Sequence, residues 1–157
     1  MLRFLLSVLF LFVPCALFLG GKSPVYTTEG PDAATMSKME ACADLYRSMQ
    51  LEGNVNWKAF RQAVAGYYKI ENRRRDILTL IDFSRPSTEK RLFVIDMKQR
   101  KLLFSSVVSH GKNSGGNYAT SFSNEYGSYK SSLGFYLTES TYQGKNGYSL
   151  ILNGLEK

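Results

Sequence analysis

The hydrophobic pattern of the chain changes three times between its two ends. From Phe4 to Leu19 the residues are apolar except for Ser7, Pro14 and Cys15, behind a short positive start at Met1–Arg3 and ahead of Gly20 and Gly21. The run is slightly long for a leader core and slightly short for a membrane span, and Pro14 would kink a spanning helix. No polar face exists to make it a water-exposed helix. It reads as an export leader over residues 1–21, with an uncleaved anchor as the alternative. Pro24, Gly30 and Pro31 mark residues 22–36 as a linker. The period then becomes helical. Ser37-Lys38-Met39-Glu40 has the form of a capping box, and Met39, Ala43, Tyr46 and Met49 follow at helical spacing up to Gly53. Asn56 is placed to cap a second helix that carries Trp57, Phe60, Val64 and Tyr67 on one face, a helix–helix core stripe.

From Asp76 the pattern shortens to strands. Ile77–Phe83, Arg91–Met97 and Leu102–Val108 are rich in β-branched and aromatic residues, and the charged turn Lys98–Lys101 joins the last two as a hairpin. Leu133–Glu139 and Tyr148–Asn153 read as two further strands across the turn Gly144-Lys145-Asn146-Gly147. Between these groups, Ser109–Ser132 is a Gly-, Ser- and Asn-rich segment, and a loop that long inside a compact domain is functional or disordered. The pattern predicts an α+β chain, a helical region over 37–75 followed by a mostly β region over 76–157.

Composition removes several classes. Hydrophobic residues make up 44% and charged residues 21%, which is a globular balance. His110 is the single histidine and Cys15 and Cys42 the only cysteines, so neither a zinc ribbon nor a two-histidine zinc protease site can be built, and no cofactor is expected. Loss of the leader would remove Cys15 and leave Cys42 a lone thiol, buried or paired outside this sequence. The net charge is +7, of which +5 lies in residues 69–101, including Arg73-Arg74-Arg75. No nucleic-acid-binding fingerprint accompanies the triplet, and cations near a helix C-terminus fit the dipole there. Nucleic acid is therefore not an expected partner, and a membrane is met only through an uncleaved leader.

Most candidate chemistry fails on spacing. Ser87 and Lys90, like Ser109 and Lys112, match a Ser-x-x-Lys pattern, but a strand begins or ends there, so no helix face unites either pair. Gly111–Gly115 lacks the Gly-Lys-Ser/Thr ending of a phosphate loop. What remains is Val108-Ser109-His110-Gly111-Lys112-Asn113-Ser114-Gly115-Gly116, then Ser121–Asn124 and Gly127–Tyr136, dense in hydroxyl and amide donors. Such a surface can follow a peptide backbone and donate to carboxylates. The same polar side chains can equally cap their own loop.

Asp76–Ser84, Ser87–Leu92, the His110 segment and Ser131–Gly134, in that order, resemble the murein L,D-transpeptidase catalytic-domain family over roughly residues 40–157. The resemblance implies an exported enzyme with a mostly β catalytic domain that acts on peptidoglycan stem peptides. A cysteine thiolate attacks a stem carbonyl, releases the terminal D-amino acid and passes the acyl group to an amine of a second stem. A histidine activates the thiol and backbone amides hold the oxyanion. His110 would line the cleft with Asn113, Ser114, Lys130 and Ser132 as substrate-binding residues, without being the base.

The family's nucleophile lies in a Ser-x-Gly-Cys-type motif after a second His-Gly segment. No cysteine follows Cys42 and no histidine follows His110, so no catalytic residue is assigned. The chain reads as a C-terminally incomplete, by itself inactive family member, with a pseudoenzyme as the alternative. A non-catalytic envelope module that binds peptidoglycan or a protein partner is the competing function. An incomplete β domain should leave an apolar strand face uncovered.

Overall fold

The computed structural model describes residues 32–71, 73–145 and 147–155; the leader and the linker up to residue 31 lie outside them. Ala33 and Ala34, residues of the highest helix preference, start α1 (Ala33–Ser48) four positions ahead of the expected cap at Ser37. Residues 33–36, read from the sequence as the end of a linker, are therefore helical. The inward face is Cys42, Leu45 and Met49, with Tyr46 half-buried beside them and Met39 left exposed. This is a rotation of the expected stripe. It lets the Tyr46 ring meet both Trp57 and Phe60, each at 5.2 Å between centroids.

The helix stops before Gly53. Gln50 takes a left-handed φ of 52°, its N–H donates to the Arg47 carbonyl, and the Leu51 N–H reaches back to the Tyr46 carbonyl. That pair of bonds is a Schellman stop, and its usual hydrophobic contact is supplied by Leu51, which is fully buried. α2 (Trp57–Lys69) starts as the sequence predicts. The Asn56 side-chain oxygen accepts from the N–H groups of Lys58 at 2.9 Å and Ala59 at 3.2 Å. At its other end the Arg73 guanidinium donates to the carbonyls of Tyr67 and Ile70 and lies 4.3 Å from the Tyr67 ring centroid. One member of the basic triplet is thus committed to closing a helix.

β1 (Ile77–Ile81), β2 (Leu92–Asp96) and β3 (Lys101–Ser106) form an antiparallel sheet in the order β1-β2-β3. The expected hairpin turn is present, with Arg100 at φ 54° and the Asp96 carboxylate accepting from the Gln99 N–H at 2.7 Å. Pairing aligns Leu80 with Phe93 and Leu78 with Ile95 and Leu102, and these are the positions joined to the helical core. Leu103 is the unpaired residue of a bulge between Val94 and Ile95. α1 packs on α2 and α2 on β1. Every buried apolar side chain among the described residues lies between Cys42 and Met97.

β4 (Tyr136–Gly144) and β5 (Gly147–Gly154) form a separate two-stranded ribbon. β4 starts three residues later than predicted, because Gly134 has a φ of 126° and breaks the extended run after Leu133. It also continues to Gly144, where the turn begins. The chain carries helices first and antiparallel strands after, so the α+β expectation holds. Tyr148, Leu150, Ile151 and Leu152 of β5 are exposed. No helix of the described residues is long and apolar enough to cross a membrane.

Candidate functional site

The site is built around a residue the sequence reading passed over. Arg91 precedes β2 with the same alternation as Phe93 and Ile95, so the strand turns its side chain inward. It is fully buried. A buried guanidinium must find acceptors. Nε and Nη2 donate to the Val108 carbonyl at 3.0 and 2.7 Å, Nη1 to the Arg85 carbonyl at 3.0 Å, and Nη2 also to His110 Nδ1 at 2.8 Å. The Phe83 ring centroid lies 5.2 Å from its Cζ. Burial pulls the Arg91 pKa below its ordinary value, and the Asp82 carboxylate partly restores it. Asp82 is itself buried; one carboxylate oxygen accepts from the Ser84 N–H and hydroxyl, and the other stands 3.6 Å from Arg85 Nε.

Downstream of β3 the chain folds into a hydrogen-bonded knot. His110 Nε2 faces the Gly115 carbonyl at 3.3 Å. The Gly111 N–H donates to Ser131 Oγ at 2.9 Å, and a side chain at Gly111 would come within 2.6 Å of the Tyr129–Ser131 backbone. This glycine is required by close approach. Ser114 is the centre of the knot. Its N–H donates to the Gly111 carbonyl, its hydroxyl accepts from the Ser131 N–H at 2.8 Å, and its carbonyl accepts from Thr120 and Ser121. Asn113 adds two bonds, from its N–H to the Tyr129 carbonyl at 2.9 Å and from its side-chain amide to the Ser128 carbonyl at 3.0 Å. Long as it is, the 109–132 segment has a defined course.

The five sequence-predicted residues fall into different positions within this knot. His110, Asn113 and Ser114 lie on one strip, Lys130 and Ser132 on the strip bonded to it. Ser114 has 0% exposure, so it offers a ligand no surface. The Ser132 hydroxyl is paired with the Tyr136 hydroxyl. Asn113 is exposed and His110 and Lys130 half-exposed, so these three keep surface, although both His110 ring nitrogens and one Asn113 amide N–H are bonded within the fold. The alternation that turns Arg91 inward was legible in the sequence. The partnership of Ser131 with Gly111 and Ser114 was not, because it joins residues about twenty positions apart.

Other chemistry is elsewhere or absent. Cys42 is buried against the helical core, which raises its pKa despite the opposing charge of Arg61, and so holds it as an unreactive thiol. Among the described residues no group of three His, Cys, Asp or Glu side chains is placed to hold a metal ion. Two surface concavities at the C-terminal end of α2, lined by Arg73–Asp76 and by Tyr67, Tyr68 and Lys98, share no residue with the loop.

No curated protein and no solved structure matches the chain. Residues 51–157, about two thirds of its length, match the L,D-transpeptidase catalytic domain. That span takes in α2, the sheet with Arg91, the knotted loop and the ribbon. On this match the chain belongs to the L,D-transpeptidase catalytic-domain family.

Proposed function

We propose that the chain is exported to the periplasm or cell envelope and there engages peptidoglycan stem peptides through the outer side of the 109–132 loop. The family match carries the reading, and membership in that family supports a peptidoglycan-related, transpeptidase-like role. The loop's exposed chemistry suits such a ligand. Asn113 and Lys130 supply an amide and a cation for the carboxylates of a stem peptide, and charge-assisted bonds of this kind are the strong ones. In the family's chemistry a cysteine thiolate would form the thioester with the stem carbonyl and release the D-amino acid. No residue of 43–157 is a cysteine, and Cys42 is buried, so these residues bind and orient without carrying the nucleophile.

The reading separates binding from turnover. A tetrapeptide stem should bind the purified chain, with affinity lowered in Lys130→Ala and Asn113→Ala. Neither release of D-alanine nor a carbapenem adduct on Cys42 should be detected by mass spectrometry. An adduct on Cys42 would place the nucleophile in α1 and overturn the assignment. Binding of a protein partner but no stem peptide would favour the non-catalytic envelope module. For export, N-terminal sequencing of the envelope fraction should start near residue 22; a protein starting at Met1 in the cytosol would contradict it.

A further inference from the structure

We propose that Arg91 is a positioning residue that fixes the imidazole of His110 in its Nε2–H tautomer, and that His110 acts as a hydrogen-bond post for the loop and not as a base. The tautomer follows from the donor inventory. An arginine side chain has five N–H donors and no acceptor, and it keeps its proton at any pH a protein tolerates. The contact of 2.8 Å between Arg91 Nη2 and His110 Nδ1 is a hydrogen bond only if Nδ1 offers a lone pair. The ring proton then sits on Nε2, where it meets an acceptor, the Gly115 carbonyl at 3.3 Å. Both nitrogens are engaged, one as acceptor and one as donor. No lone pair is left for a proton taken from a thiol or from water.

The surroundings make the arrangement firm. Arg91 is fully buried, and three more of its N–H groups are held by the carbonyls of Val108 and Arg85, so the guanidinium has a fixed plane. Val108 is two residues before His110, and Gly115 is five after it. The guanidinium and the imidazole therefore tie the end of β3 to the start of the loop, next to the point where Ser114 and Gly111 grip Ser131. A substitution at Arg91 acts on the loop through His110 without touching a ligand. Its meaning for stem-peptide binding rests on the function proposed above; the tautomer itself does not.

His110 is the single histidine of the sequence, so its ring nitrogens can be read without assignment ambiguity. Nitrogen NMR of the full chain, without ligand and at a pH above the ordinary imidazole range, should show Nδ1 as a pyridine-type nitrogen and Nε2 as a protonated one. In urea the same ring should return to an unconstrained tautomer mixture. Arg91→Met, which keeps the apolar stem but has no N–H to donate, should move the folded spectrum toward that mixture. His110→Asn, which keeps an acceptor near the Nδ1 position, should preserve exchange protection of the Ser131 amide, while His110→Leu should lower it about tenfold or more. A protonated Nδ1 or a tautomer mixture in the folded wild-type chain would overturn the proposal. So would an unchanged Nε2–H spectrum in folded Arg91→Met; if that variant does not fold, the wild-type spectrum and the His110 pair decide. Failure of stem peptides to bind would leave these results standing and would count only against the functional reading.

Discussion

The three-stranded sheet and the two-stranded ribbon start from similar material and end in different states. Leu92, Phe93, Val94 and Ile95 of β2 are an unbroken apolar run, and so are Leu150, Ile151 and Leu152 of β5. In β2 the side chains of Phe93 and Ile95 are almost wholly buried, because β1 and β3 flank the strand and the helices cover that face. In β5 all three are exposed, at 51%, 43% and 58%; its one partner strand is β4, and among the described residues no helix packs on the ribbon. An apolar run states that a strand has something to bury. Neighbouring elements decide whether it is buried.

The sharpest way to break this contrast is by truncating side chains on each side of it. Phe60→Ala or Phe93→Ala should cost on the order of 3–5 kcal/mol, a large part of a domain's stability, whereas Leu152→Ala should change it by less than ~0.5 kcal/mol. Urea unfolding followed by circular dichroism gives both values, and comparable losses at the two places would erase the distinction. Next comes the joint between the regions. The Phe135 ring, just ahead of β4, sits where a side chain on Gly66 of α2 would be, within 2.0 Å of a Cβ built there. Gly66→Ala should cost roughly 1–3 kcal/mol by overpacking and should displace Phe135 more than it disturbs the Cys42–Met97 core. Ring contacts of Phe135 lost while those of Phe60 persist would locate the damage as expected.

A smaller effect is confined to the front. Asn56→Ala removes the acceptor of two helix N–H groups and should cost about 1 kcal/mol. The ribbon's amide exchange should not change, and a loss there would mean that the two regions unfold as one. The smallest effect is a pH dependence. Burial raises the pKa values of Cys42, Tyr46 and Tyr67, and at Tyr67 a 2.7 Å hydrogen bond to Asp76 adds to it. Above the ordinary values, ~8.5 for cysteine and ~10 for tyrosine, the unfolded chain releases these protons while the folded chain keeps them. The stabilisation is therefore complete below those values and is lost as pH rises through the folded ones. Tyr67→Phe should flatten the alkaline limb of the stability curve, and an unchanged limb would remove Tyr67 as a contributor.

The legible parts of the molecule are those specified by nearest neighbours. Asn56 caps the helix it was expected to cap, and the Lys98–Lys101 turn joins the two strands it was expected to join. The first helix starts four residues before its capping pattern at Ser37, because Ala33 and Ala34 already favour helix. Its helical pattern runs to Gly53, yet Gln50 takes the left-handed position so that Leu51 can be buried. Only the tertiary fold fixes that choice. At the site, the composition of the 109–132 loop marked it as a place of interest. It did not reveal that Ser114 would be spent on the loop's own backbone, or that Arg91, eighteen positions ahead of Ser109, would hold it.

The stem-peptide site proposed above lies on this loop, preformed around Arg91 and Ser114. Titration of an isotope-labelled chain with a tetrapeptide stem, followed by amide NMR, tests it most directly. Saturable shifts confined to the 109–132 segment, largest at His110, Asn113 and Lys130, are the predicted result. Shifts clustered at Arg73–Asp76 and Lys98, or none at saturating peptide, would contradict it.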